Sequence, residues 1–388
     1  MNGVVIVDAV RTPTGRFQGS LAGYKATDLG ARVIAALRER NGLEPNGVDE
    51  VILGQVVQGG AGQAPARQAS IRGGLSPEVP AVAVNKVCGS ALRAVIMGAQ
   101  AIKAGDAKTI IAGGMESMTN VPYALPGARA GYRLWDQQVK DLLIYDGLWC
   151  NFEDKHMGVA AEYTASKSGI SREEQDEYAY NSHMKAARAT EEGKFQDEIV
   201  PIETKDGVLE RDETIRPDTS LERLATLKPV FQEGGTVTAG NAPGLCDGAS
   251  AVLVMARGEA ERRGYRPLAE VIGYAVAGVE PLELFYGPVS STRMLLEKLG
   301  VDINFFDLIE VNEAFAAQTL ADGKELGWDW ERVNVNGGAL ALGHAIGSSG
   351  ARILATLLYE LRRRGGEHGL ATICMGGGTA ASLAVRIT

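Results

Sequence analysis

AVAVNKVCGSALRAVIMGAQAIKAGDAKTIIAGG, residues 81–114, decides the fold. A short β-branched run (81–87) stops at Cys88, helical periodicity follows over 90–104, and a second apolar run, TIIAGG (109–114), closes on glycines. Strand, helix and strand in that order make a parallel βαβ unit with both sheet faces covered. The same order returns in SGARILATLLYELRRRGG followed by ATICMGGG (349–378).

Outward from this unit the alternation continues. VVIVDAV (4–10) and EVILGQVV (50–57) read as strands, and a helix is expected from Asp28 to Arg40, with Thr27/Asp28 at its start and Asn41-Gly42 as its stop. ALRERNGLEPNGVDEVILG (36–54) aligns with LLEKLGVDINFFDLIEVN (295–312), so that Gly42 meets Gly300 and Asp49 meets Asp307, each pair 258 residues apart. A repeat that long is a duplicated domain, not a solenoid. We expect α/β halves at 1–118 plus 249–267 and at 268–388, with a site where they meet. Residues 119–248 have a different texture, more charged and loop-rich, and read as an inserted loop domain. One helix in it is well signalled: Ser171-Arg172-Glu173-Glu174 is a capping box opening a helix that runs to Gly193.

Composition bounds the function. The 388 residues are 45% hydrophobic and 22% charged, an ordinary globular balance, and no stretch is long and apolar enough to span a bilayer. The net charge of −9 removes the attraction that sequence-blind nucleic-acid binding needs. The N-terminal MNGVVIVDAVRTPTGR has neither a signal peptide's charge pattern nor a transit peptide's, so a cytoplasmic chain is expected. Four cysteines and four histidines show no metal-ligand spacing, and GHAIGSSG is not a dinucleotide fingerprint, so neither metal nor nicotinamide is expected. Glycine is abundant, 49 residues, and clusters beside apolar runs where backbones approach closely.

Four positions can do chemistry. Cys88 stands at a strand-to-helix turn, where unpaired amides and the helix dipole lower a thiol's pKa below its usual value of about 8.5. An inert buried cysteine is the alternative reading. Cys374 ends a strand and runs into three glycines whose amides are free to hold an oxyanion. His344, in NGGALALGHAIGSSG (336–350), is placed to take a proton or to donate to a developing oxyanion, or is a loop histidine only. Asn312 follows a strand, where an amide orients a water or carbonyl; Asn312-Glu313 also reads as a helix cap.

Taken together, VDAVRTPTGRF (7–17), NKVCGSALRAV (85–95), AGGMESMTNVPY (112–123), GTVTAGNAPGLCDGASAV (235–252), VNEAFAAQ (311–318), NVNGGALALGHAIGSSGARI (334–353) and CMGGG (374–378) resemble the thiolases over essentially the whole chain. The resemblance implies a duplicated, five-layered αβαβα core with the loop domain over a coenzyme A site, assembled as a homodimer or homotetramer. It implies Cys88 as the acyl-accepting nucleophile, His344 as its base, Cys374 as the acid/base at the second substrate, and Asn312 holding a water. The amides of Cys88 and Gly376 would form an oxyanion hole, and His156, Met157, Arg216, Ala239, Gly240, Pro243 and Phe315 would bind substrate. The implied reaction is the reversible condensation of two acetyl-CoA to acetoacetyl-CoA and CoA, with no tightly bound cofactor. A 3-ketoacyl-CoA thiolase of broader or longer chain range is the alternative, and a non-catalytic scaffold subunit a lesser one. His156-Met157 matches the short-chain members. Three departures stand out: Ala345 where the family has proline after the histidine, Pro243 where a serine is common, and Leu284-Phe285-Tyr286 where short-chain members place methionine and smaller residues.

Overall fold

A computed structural model of the chain describes residues 3–388. The first strand, β1 (Val4–Arg11), is buried at all eight positions, which is why it reads as an unbroken apolar run. Helix α1 (Ala26–Arg40) starts two residues before the expected Asp28, because the Asp28 carboxylate reaches back to the Lys25 N–H at 3.2 Å. Then come β2 (Glu50–Gly54), α2 (Pro65–Arg72), β3 (Ala81–Val84), α3 (Ser90–Ala104) and β4 (Thr109–Ser117). Strand β2 ends three residues short of the run EVILGQVV, since the amides of Val56 and Val57 turn to the Glu116 carboxylate at 2.9 and 3.3 Å.

The intervening region carries α4 (Met157–Ser168) and α5 (Arg172–Glu191). Both arms of the α5 capping box form, with Ser171 N–H on Glu174 Oε2 at 2.6 Å and Glu174 N–H on Ser171 Oγ at 3.1 Å. The chain returns to the sheet in β5 (Cys246–Ala256) and continues through β6 (Ala269–Gly278), α6 (Gly287–Leu299), β7 (Leu308–Val311), α7 (Ala316–Leu326), α8 (Ser349–Arg364), β8 (His368–Met375) and β9 (Thr379–Ile387).

The main strands run in the order β7-β8-β9-β6-β1-β5-β4-β2-β3. The alternation of strands and helices suggested parallel pairing, and the sheet is instead mixed. Only β2–β3, β2–β4 and β7–β8 are parallel. β8 and β9 are joined by the tight Gly376–Gly378 turn, which admits only an antiparallel pair. The halves meet where β1 and β6 pair antiparallel, through Val5 with Glu270 and Ile6 with Ala269.

Helices α1 and α2 cover the outer face of one half-sheet and α6 that of the other, while α3 and α8 pack against each other between them. That gives five layers, α/β/α/β/α. The inner core joins Leu92, Val95 and Ile96 of α3 to Ile353, Leu354 and Leu357 of α8. The duplication is visible in detail. Asp49 Oδ2 accepts the N–H groups of Lys108 and Thr109 at 2.7 and 2.8 Å, and Asp307 Oδ2 accepts those of Glu367 and His368 at 2.7 and 2.8 Å. Gly42 and Gly300 both take positive φ, 57° and 69°, after equivalent helices. The counterpart of β3 in the second half is reduced to a single parallel bridge, Ile309 with Val333. Among the described residues no helix is long and apolar enough to cross a membrane.

Candidate active site

Cys88 is presented by a turn held open by its neighbours. Asn85 Oδ1 accepts the Val87 N–H at 2.9 Å, and Ser90 Oγ accepts the Lys86 N–H at 2.8 Å while donating to Val87 O at 2.7 Å. Val87, β-branched, is thereby held at φ 47°, a conformation that costs on the order of 1–3 kcal/mol. Gly89 is needed for space, since a Cβ there would lie 2.1 Å from Met375 Cε. The sulfur emerges at the start of α3. Of the four free cysteines only Cys88 is partly exposed; Cys150, Cys246 and Cys374 are buried.

The expected lowering of the Cys88 pKa is overturned. Burial pushes the thiol up to about 12, and nearby Glu116 pushes the same way. The backbone N–H groups of Gly376 and of Cys88 itself oppose this without prevailing. No lysine or arginine lies beside the sulfur to compensate, and two amides and a helix end cannot replace the lost hydration. Those same amides mark where an oxyanion would be received.

His344 is fixed from several sides. Its backbone N–H points to the sulfur of Cys246, its Nδ1 lies 2.6 Å from Ser349 Oγ, and its Nε2 lies 3.5 Å from Asn312 Nδ2. Burial and the buried Arg352 cation lower its pKa to about 3, so the imidazole is neutral. Its loop is anchored on Glu313, fully buried, which accepts from Tyr178 OH, Ser182 Oγ, Asn334 Nδ2 and Leu340 N at 2.8–3.0 Å. The helix-cap reading of Asn312-Glu313 therefore fails: α7 begins at Ala316 after Phe315, with no side-chain cap. Asn312 is buried with Oδ1 unpartnered, leaving an acceptor for a small polar guest. Ala345 takes the family's proline position, and its N–H has no partner among the described residues, so the ladder of bonds around it is unaffected.

Cys374, at the end of β8, is 1% exposed, and burial together with Cys88 holds its pKa well above the usual thiol value. Gly377 and Gly378 both take φ 80°, turning the chain so that the Gly376 amide faces Cys88.

Cys88, His344, Cys374 and Gly376 all line one cavity of about 380 Å³. Of the sequence-derived binding residues, His156, Met157, Arg216, Ala239, Pro243 and Phe315 line it as well. Gly240 does not; it packs behind the wall, where a Cβ would meet Leu224 and Leu227 at 2.6 Å. The cavity is mostly apolar, and Arg216, exposed at its mouth, is its only lysine or arginine. His156 caps α4, accepting the Gly158 N–H on Nδ1 at 3.0 Å, and stacks on Phe231 at 4.7 Å; burial lowers its pKa. Phe231 and Phe285 meet Phe315 edge-on at 6.1 and 5.3 Å, so Leu284-Phe285 forms part of an aromatic wall. Sequence reasoning missed Phe231, Ser349, Glu116 and Glu313. A serine five residues past a loop histidine, at a helix start, was the available signal for Ser349.

Residues 4–258 match the family model described as thiolase, N-terminal domain, and residues 265–387 the one described as thiolase, C-terminal domain. The chain is 54% identical over 388 residues to the acetyl-CoA acetyltransferase of Pseudomonas aeruginosa, with 99% of each chain covered. It is 53% identical to that of Chromobacterium violaceum, again with 99% of each covered, and 50% identical over 391 residues to that of Cupriavidus necator, with both covered in full.

Proposed function

Because the chain belongs to the thiolase family and is an acyltransferase, we propose that Cys88, His344, Cys374 and Asn312 carry the reversible condensation of two acetyl-CoA to acetoacetyl-CoA and CoA. The single observation that supports this reading is the convergence of two cysteines, a neutral histidine and the amides of Cys88 and Gly376 on one apolar cavity.

The chemistry follows from the pKa directions. With a neutral thiol and a neutral imidazole, Cys88 passes its proton to His344 as its sulfur attacks the acetyl carbonyl, and the Cys88 and Gly376 amides receive the oxyanion. CoA leaves with the proton of Cys374, which becomes a thiolate. That thiolate takes the α-proton of the second acetyl-CoA, whose enolate oxygen is met by His344 and a water on Asn312. The carbanion attacks the acetyl-Cys88 carbonyl, and the expelled Cys88 sulfur recovers its proton from His344. Each donor to a developing oxyanion contributes a few kcal/mol. His156, Met157 and Phe315 receive the thioester arm, Ala239 and Pro243 flank it, and Arg216 meets a phosphate at the mouth. The reading places the enzyme in the cytoplasm, in lipid metabolism, as a homodimer or homotetramer without a tightly bound cofactor.

The test is intact-protein mass after brief exposure to acetyl-CoA, with peptide mapping. One acetyl group on Cys88 is expected, together with thiolysis of acetoacetyl-CoA much faster than of a longer 3-ketoacyl-CoA. Cys88→Ala should lose acylation and condensation together. Cys374→Ala should still acylate while condensation falls by orders of magnitude; equal loss of both would remove Cys374 from the acid/base role.

A further inference from the structure

We propose that Ser349 sets the tautomer of His344, and so decides which ring nitrogen is offered to the nucleophile. The inference rests on the reading of His344 as the base of Cys88, and it assigns to the reaction a residue that touches neither substrate nor sulfur.

A hydroxyl has one proton to give. Ser349 Oγ lies 2.6 Å from His344 Nδ1, which can donate or accept, and 3.0 Å from Ala345 O, which can only accept; on this proposal the hydroxyl hydrogen goes to the carbonyl. The oxygen is then an acceptor towards the ring, and Nδ1 carries the imidazole proton. On the other side, Asn312 Nδ2, a donor, faces Nε2 at 3.5 Å, far enough to leave its lone pair available and close enough to disfavour a proton on that nitrogen. One directional chain results: Asn312 to Nε2, Nδ1 to Ser349, Ser349 to the Ala345 carbonyl. Both ends are tied to fixed backbone. The Asn312 N–H is bound to Thr372 O at 3.0 Å, and Ala345 O also receives the amides of Ser348 and Ser349, at 2.8 and 3.0 Å. Ser349 and His344 are 2% and 7% exposed, so bulk water does not substitute for either partner. The opposite tautomer would place a proton on Nε2 against the Asn312 amide and leave no lone pair to accept from Cys88. Ser349 is therefore a positioning residue acting through the imidazole.

Two readouts separate this role from a merely structural one. In the wild-type enzyme labelled with ¹⁵N-histidine, with His344 assigned by comparison with His344→Asn, Nδ1 should appear protonated and Nε2 bare at neutral pH. An Nε2-protonated ring would overturn the proposal without any variant having to fold. In Ser349→Ala the two forms should mix, Cys88 acetylation in a single turnover should slow about 10- to 100-fold, and KM for acetyl-CoA should stay within about twofold. A single-turnover rate equal to wild type, or a change confined to KM, would overturn it. The outcome is distinguishable from failure of the catalytic reading itself, which Cys88→Ala tests alone.

Discussion

At Cys88 the decisive competition is between a helix end that favours a thiolate and a buried setting that forbids one, and burial prevails. His344, with its pKa near 3, cannot supply a standing positive charge to reverse that. A preformed thiolate–imidazolium pair is thus disfavoured at neutral pH, and in the proposed reaction the proton moves only as the acyl carbon is attacked. The sign of the pH dependence follows. The thiolate fraction grows tenfold per pH unit as long as the pH lies below the thiol's pKa, so alkylation of free Cys88 by iodoacetamide should rise log-linearly from pH 7 to 10. A plateau between pH 7 and 8 would contradict it. Position, not protonation state, was legible here in the sequence: a cysteine between a strand and a helix is visible in the letters, whereas the absence of a nearby cation is a property of the packed chain.

Elements were readable where their signals are local. The capping box at Ser171 and the helix from Ser90 to Ala104 both formed as composition and spacing suggested. Signals failed where a distant side chain intervened. β2 stops early because Glu116, 60 residues away, captures the amide of Val56. Glu313 gave no sign of its role either, since its four donors come from α5 and from the loop before His344. That loop lacks regular structure apart from a single helical turn at Ala339–Leu342, so its shape rests on side-chain anchors, of which Glu313, with four donors, takes the most, beside Glu360 on Asn336 and Ser182 on the Gly338 amide. Glu313→Gln replaces one acceptor oxygen by a donor that faces other donors. We expect a loss of about 2–3 kcal/mol in urea unfolding, accompanied by a fall in turnover. Unchanged stability would mean that the loop is held without Glu313, by its glycines and by the Glu360 and Ser182 anchors.

Across the whole molecule, the repeat seen in the sequence as a pair of glycines and a pair of aspartates proved to be a repeat of hydrogen bonds. Asp49 and Asp307 clamp the first amides of β4 and β8 at matching distances. Asp49→Ala and Asp307→Ala should therefore cost the same within about 0.5 kcal/mol, each about 1–3 kcal/mol, and the double variant should sum them, because the sites are far apart. A large inequality would show that the halves no longer bear their clamps alike. Strand direction was not fully legible at this scale: the strands joined by helical crossovers run parallel within each half, but β5, which returns after the inserted region, and β9, which returns through the glycine turn, each run against the rest of their half.

Helices α3 and α8 start 259 residues apart, as do β4 and β8, so the residue that answers to Cys88 in the second half is Gly347. Its amide is bound to the Glu116 carboxylate, and a Cβ there would lie 2.5 Å from Glu116 Oε2. On the proposed chemistry, the twofold architecture is thus divided into one working turn and one brace. A cysteine written into position 347 would not create a second workbench, and the chain should saturate at a stoichiometry of one acyl group, however much donor is supplied.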